Sequence, residues 1–158
     1  MQDRLEYIKL AIELSRKSVD AGGGPFGAVI VKNGAVIGSG SNSVVPENDP
    51  TAHAEVLAIR DACRSLGVFN LESAVLYTSC EPCPMCLGAI YWAGIKEVYY
   101  ANTRSDATQA GFGDSFIYDQ IPLDPENRTI PSFQIKDVRP EALKVFGMWD
   151  NKDNKTKY

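Results

Sequence analysis

A chain of 158 residues with 44% hydrophobic and 23% charged content is expected to fold as one domain around a substantial core. Its net charge of −4 and pI near 5.0 argue against the broad basic surface of a general nucleic-acid binder. No stretch is long and apolar enough to span a membrane, and Lys9, Glu13, Arg16 and Lys17 break the apolar residues from Leu5 to Val19, unlike a signal peptide. The cytoplasm is the expected compartment, so the cysteines at 63, 80, 83 and 86 read as metal ligands or core residues rather than as disulfides.

Leu5, Ile8, Ile12, Ser15 and Val19 recur at helical spacing, which predicts an amphipathic helix over 3–20. It stops at Gly22-Gly23-Gly24-Pro25, a turn rather than a phosphate loop, because strand-like residues follow and no Gly-Lys-Ser/Thr is present. Ala28–Val31 and Val36–Ser39 flank Asn33-Gly34, two residues that tolerate positive φ, and so predict a hairpin. Asn48-Asp49-Pro50 looks like a helix start, with Asp49 as cap and Pro50 in the first helical position, for a helix reaching Leu66. Val75–Thr78 reads as a strand, Pro82 as the opening of a helix through Ala93, and Glu97–Ala101 as another strand. Further on, Ser132–Asp137 is expected as an edge strand and Pro140–Trp149 as a helix with Leu143, Phe146 and Met148 or Trp149 on its apolar side. The residues from Asn151 onward have the composition of a solvated tail. The order β-β-α-β-α-β predicts an α/β fold, a three-layer α-β-α sandwich around a mixed sheet.

His53 is the single histidine of the chain, in Thr51-Ala52-His53-Ala54-Glu55, thirty positions before Pro82-Cys83-Pro84-Met85-Cys86. Two helix N-termini carrying His53, Cys83 and Cys86 could meet on one ion, their dipoles favouring the thiolates. Zn²⁺, one per chain, with two thiolates and a neutral imidazole sums to zero charge and keeps its fourth position for water or hydroxide. Such water has its pKa lowered from 15.7 to about 7, and Glu55 is placed to carry the proton. The plainer reading of Glu55, a glutamate favoured by the helix dipole, gives way because Pro-Cys-x-x-Cys follows.

Cys80-x-x-Cys83-x-x-Cys86 also looks like part of an iron–sulfur run, but its fourth cysteine could only be Cys63, which lies in a helical pattern. Cys63 is read as core packing and Cys80 as a small buried residue at a strand end. A structural zinc module closed by Cys80 is the non-enzymatic alternative, and it would leave Glu55 without a task.

His-x-Glu followed by Pro-Cys-x-x-Cys is the pattern of the zinc nucleobase deaminases. With Gly23-Gly24-Pro25-Phe26-Gly27-Ala28, Asn48 through Glu55 and Tyr77 through Cys86, the chain resembles the cytidine-deaminase-like zinc-dependent superfamily over almost its whole length. Within that superfamily Ile90-Tyr91-Trp92-Ala93, Ala110 through Phe116 and the terminal Tyr158 make it similar to the bacterial guanine deaminases. The resemblance implies hydrolysis of guanine to xanthine and ammonia, with Glu55 and Asp114 catalytic and Phe26, Asn42, Ala54, Trp92 and Tyr158 binding substrate. By composition alone Asp114 and Asn42 would be turn residues and Phe26 and Trp92 core aromatics. The resemblance further implies a single deaminase domain over 1–158, whose segment 115–158 is exchanged in a swapped homodimer, with the terminal tyrosine entering the partner's site. The ligand core is shared with tRNA adenosine deaminases and other small-base deaminases, which stay open as alternatives. The acidic pI speaks against a polyanionic substrate.

Overall fold

The computed structural model describes residues 2–157, so Tyr158 lies outside the described residues. Helix α1 (Gln2–Asp20) is followed by the hairpin β1 (Gly27–Lys32) and β2 (Ala35–Ser41). Asn33 at φ 52° and Gly34 at φ 78° make the turn, as positive-φ residues do in tight hairpins. A short helix α2 (Val44–Glu47) leads to α3 (Ala54–Leu66), β3 (Val75–Cys80), α4 (Pro84–Trp92), β4 (Glu97–Asn102) and α5 (Arg104–Gln109). The sheet has the order β2-β1-β3-β4; β1 runs antiparallel to both β2 and β3, while β3 and β4, joined through α4, run parallel.

Alternation along β1 builds the three layers. Ala28 and Ile30 point to one face and pack with Leu76, with Ala54, Ala58 and Ala62 of α3, and with Ile90 of α4. Val29 and Val31 point to the other, where Tyr77 joins them under Tyr7, Ile8 and Leu14 of α1. With both faces covered, Ala28 through Val31 are all buried, so this strand reads as a continuous apolar run. Cys63 packs at the edge of the α3 side of the core, as expected of a core thiol.

Two helix starts differ from the sequence expectation. Asp49 does not cap α3: its carboxylate accepts from the Thr51 amide at 2.8 Å and hydroxyl at 2.7 Å, closing a local turn. Asn48, in the left-handed region at φ 51°, ends α2, and α3 begins only at Ala54 with His53 in the cap position. An Asx turn uses the same residues as a helix start, so the pattern at Asn48-Asp49-Pro50 marks a turn just ahead of α3 rather than its first residues. Likewise α4 opens at Pro84, not Pro82, with Cys83 as its cap.

The chain divides into two compact units, residues 1–115 and 116–158. In the second, α6 (Ser115–Gln120), which begins at the division, and α7 (Arg139–Asp150) are the helices. The expected strand over 132–137 does not form; residues 136–138 make a 3₁₀ turn instead. Phe133 and Ile135 alternate as strand residues would, but alternation specifies side-chain faces and cannot supply a partner edge. Among the described residues no helix is long and apolar enough to cross a membrane.

The seat of α3 on β2 depends on glycine. A Cβ on Gly40 would lie 2.3 Å from the Ala54 carbonyl oxygen and 2.6 Å from the Ala58 amide nitrogen, both backbone atoms. Gly40→Ala must therefore push α3 off the sheet. We expect a loss of about 1–3 kcal/mol, read as a melting temperature lower by several degrees.

Candidate active site

His53 and Cys83 occupy matching places: each is the N-cap of its helix, extended at φ −76° and −69°, and neither side chain makes a capping hydrogen bond. Both are turned instead toward one point between the helices. His53 Nδ1 lies 3.5 Å from Cys83 Sγ and 3.5 Å from Cys86 Sγ, and all three atoms fall within 4.8 Å of one another. Zinc–nitrogen and zinc–sulfur bonds of roughly 2.05 and 2.3 Å at a tetrahedral angle put nitrogen and sulfur about 3.6 Å apart. The residues thus fit three corners of a zinc tetrahedron.

The thiols carry the electrostatic mark of that geometry. The Cys86 thiol and His53 pull Cys83 down to about 4, while the adjoining Cys83 and burial push Cys86 up. Two sulfurs this close share one negative charge between them. A divalent cation held there would bring both to thiolate, and the N-terminal end of α4 favours the charge. His53, with Cys83 as hydrogen-bonding partner, is pushed up. Cys80 stands apart: buried at the end of β3, its Sγ lies 3.6 Å from the Thr103 carbonyl oxygen, and burial pushes its thiol up to about 11. Among the described residues it belongs to no ligand cluster, and the cluster of His53, Cys83 and Cys86 offers three ligand atoms, the number that catalytic zinc centres take from protein.

Glu55, in the first turn of α3, is 5% exposed. Its Oε1 accepts from the Thr78 hydroxyl at 3.0 Å, and its Oε2 lies 3.3 Å from Cys86 Sγ. Burial pushes its carboxyl up, the direction that lets it hold a proton beside the metal ligands.

Asn42 is buried and fixed on three sides. Its amide N–H donates to the Phe26 carbonyl, its carbonyl accepts from Ser18 Oγ, and Oδ1 accepts from the Gly24 and Val44 amides at 3.0 and 3.3 Å. Two N–H donors at Oδ1 settle which end of the side chain is oxygen, so Nδ2 is the group not committed to these contacts. Phe26 packs at the core edge and meets Phe112 edge-to-face at 5.1 Å. Ala54 is fully buried as the first residue of α3, and Trp92, at the end of α4, is 72% exposed.

Asp114 is half-buried; burial first, and then the charge of Cys83, push its carboxyl up, while Arg104 pulls the other way. It follows α5, whose start is tied to the zinc-ligand loop. Glu81 accepts from the Arg104 amide at 3.1 Å, faces its Nε at 3.3 Å, and donates its own N–H to the Asn102 carbonyl. The sequence motifs contain Thr78, Glu81 and Phe112 without marking a role for any of them, and Arg104 lies outside them. For Thr78 a signal existed: it is the polar member of the alternating face Leu76-Thr78-Cys80 in a strand otherwise suited to the core.

Residues 1–102 match the family described as the cytidine and deoxycytidylate deaminase zinc-binding region. The chain is 56% identical to the guanine deaminase of Bacillus subtilis over 153 residues, covering 96% of this chain and 97% of that one. The X-ray structure of guanine deaminase from the same organism superposes with a TM-score of 0.92 over 97% of both chains at 56% identity. The tRNA-specific adenosine deaminase of Bacillus subtilis is 43% identical over 99 residues, 63% of this chain and 61% of its own length.

Replacing Cys83 or Cys86 with serine should strip zinc and activity together, whereas Cys80→Ser should keep about one zinc per chain, as expected for three protein ligands plus water. Metal analysis of the purified variants decides it: loss of stoichiometric zinc in Cys80→Ser would mean that Cys80 is a ligand.

Proposed function

The chain belongs to the family of the cytidine and deoxycytidylate deaminase zinc-binding region, and from that membership we propose that it hydrolyses guanine to xanthine and ammonia. The observation that carries the reading is 56% sequence identity to a guanine deaminase along almost the whole chain, against 43% identity over 99 residues to a tRNA-specific adenosine deaminase. An acidic chain of net charge −4 also suits a small base better than a polyanion. The free thiols of the site suit a reducing compartment, the cytoplasm.

His53, Cys83 and Cys86 would hold the zinc, which when bound supplies a water acidic enough to lose a proton near neutral pH. Glu55 would take a proton from the attacking water as it adds to the ring carbon bearing the amine, and deliver it to the adjacent ring nitrogen. Asp114 would relay the proton of the newly added hydroxyl to the departing amine, so that guanine and one water become xanthine and ammonia. Asn42 offers Nδ2 to an acceptor on the base, and Phe26, steadied by Phe112, offers a ring face for stacking. Ala54 would contribute at the start of α3. Trp92 would wall the pocket, a role for an exposed tryptophan only where another surface covers it.

That surface, on our reading, is a second copy of the chain. None of residues 116–157 is buried, although they include Phe116, Ile130, Phe133, Phe146 and Met148. Exposed apolar side chains in this number mark a surface meant for a partner. The segment from 115 onward is then exchanged in a homodimer, and Tyr158 closes the partner's site.

Ammonia release from a panel of free bases, nucleosides and tRNA tests the substrate. Guanine should lead, and Glu55→Gln should keep zinc while losing on the order of 10²–10⁴ in turnover. Turnover of tRNA in place of guanine would refute the substrate assignment.

Mixed dimers test the exchange. A chain with Glu55→Ala and an intact tail, and one with Glu55 intact but truncated from Asn151, should each be nearly inactive alone. Refolded together in equal amounts, they should recover up to about a quarter of wild-type activity, since half the dimers hold one complete site of two. A fully active truncated homodimer would show the tail to be dispensable. Proven hybrids without recovery would place the tail in its own chain's site.

A further inference from the structure

We propose that Thr78 is the positioning residue that assigns the two oxygens of Glu55 their separate tasks, anchoring Oε1 so that Oε2 alone carries the proton. The proposal deepens the deaminase reading above and rests on it.

Thr78 lies in β3, wholly buried, paired with Ala28 of the neighbouring strand. Its hydroxyl has one proton and two acceptors within reach: Glu55 Oε1 at 3.0 Å and the Gly27 carbonyl oxygen at 3.4 Å. The carboxylate is the nearer and, when ionised, the stronger acceptor, so it takes the proton. Oε1 is thereby held against the sheet. Oε2 is left on the opposite side of the carboxyl, 3.3 Å from Cys86 Sγ and therefore facing the ligand cluster.

A carboxyl that shuttles a proton must not spin between equivalent orientations, because each turn replaces the loaded oxygen with the empty one. Rotation about the terminal bond of a glutamate is broad and nearly two-fold, so the bond itself does not choose. Thr78 breaks that symmetry. Its donation to Oε1 holds both when Glu55 is ionised and when the proton sits on Oε2, since Oε1 remains an acceptor in either state. Thr78 exchanges no proton with substrate or water and acts only through Glu55. Its own place is fixed by the sheet and by Ser79, whose Oγ accepts from the Gly27 amide at 3.0 Å.

The hydroxyl can be removed with little change in shape by Thr78→Val and restored without the methyl by Thr78→Ser. For the base that the wild-type chain turns over fastest, Thr78→Val should lose about 10- to 100-fold in kcat with KM little changed, the loss appropriate to a hydrogen bond on a charged group. It should keep one zinc per chain and a near-normal melting temperature, and Thr78→Ser should recover most of the loss. In a Glu55→Gln background Thr78→Val should add little, because the shuttle it serves is already gone.

Wild-type kcat in Thr78→Val would overturn the proposal. So would equal impairment of the serine and valine variants, which would trace the effect to the methyl group. The same full factor on top of Glu55→Gln would show that Thr78 does not work through Glu55. Should the valine variant fail to fold, Thr78→Ala against Thr78→Ser makes the same comparison, and equal activity in those two overturns it. A wild-type chain active on another base but not on guanine refutes the substrate assignment alone. Inactivity on every base refutes both readings.

Discussion

Two helices that begin at one point, each with a metal ligand in its cap position, impose the constraint on which the rest of the site depends. His53 and Cys83 give up the usual work of an N-cap side chain, which is to satisfy a free backbone N–H, and spend their side chains on a shared point 3.5 Å across. The arrangement holds only if α3 and α4 cannot drift apart. Gly40, which admits the α3 backbone to contact distance, and the small-residue stripe Ala54-Ala58-Ala62 on β1 and β2 keep α3 in place. Ile90 and Ala93 bring α4 into the same core. A ligand set with these edges suits a small tetrahedral ion, and a cation between them would let both sulfurs become thiolates.

The same packing decides what Glu55 is. A glutamate in the first turn of a helix is commonly a solvated partner of the dipole, and its carboxyl then stays ionised. Here α3 presses it against β3, where burial pushes its carboxyl up and the Thr78 hydroxyl and Cys86 sulfur are its polar neighbours. A buried carboxyl with so few partners is costly as an anion and accepts a proton readily. Asp114, half-buried and on a loop beyond α5, is pushed in the same direction by weaker burial. The two acids differ in surroundings rather than in kind, the difference that the proposed division of the two proton transfers between them requires.

The second unit sets a different constraint. Forty-odd residues rarely bury enough apolar surface to stand alone, and in 116–157 none is buried. On unit 1 an open, mostly apolar groove is lined by Leu87, Ile90, Tyr91, Ile95, Lys96 and Val98. Both surfaces are of the kind that association covers, in keeping with the exchanged dimer proposed above.

What the sequence by itself determined were the features with local causes. The 3.6-residue repeat of α1, the Asn33-Gly34 hairpin, the apolar strands and the α7 helix each follow from neighbours a few residues away. The grouping of His53, Cys83 and Cys86 was legible too, because one histidine and a Cys-x-x-Cys leave few ways to build such a cluster. Where a local signal serves two structures, reading failed. Asp49 suits an Asx turn as well as a cap, and residues 132–137 alternate as a strand would yet form none.

Tertiary structure alone decided which side chains meet across long separations. Thr78 reaches Glu55 over 23 positions, Phe26 meets Phe112, and Glu81 ties the zinc-ligand loop to the start of α5. Cys80 and Cys83, three residues apart and chemically alike, are parted by the end of a strand: one thiol is shut into the core and pushed up to about 11, the other is turned to His53 and pulled down to about 4. The sequence carries the donor and acceptor types, but their partners are set by the layering of α3 and α4 on the sheet, and that layering depends on the packing of the whole core at once.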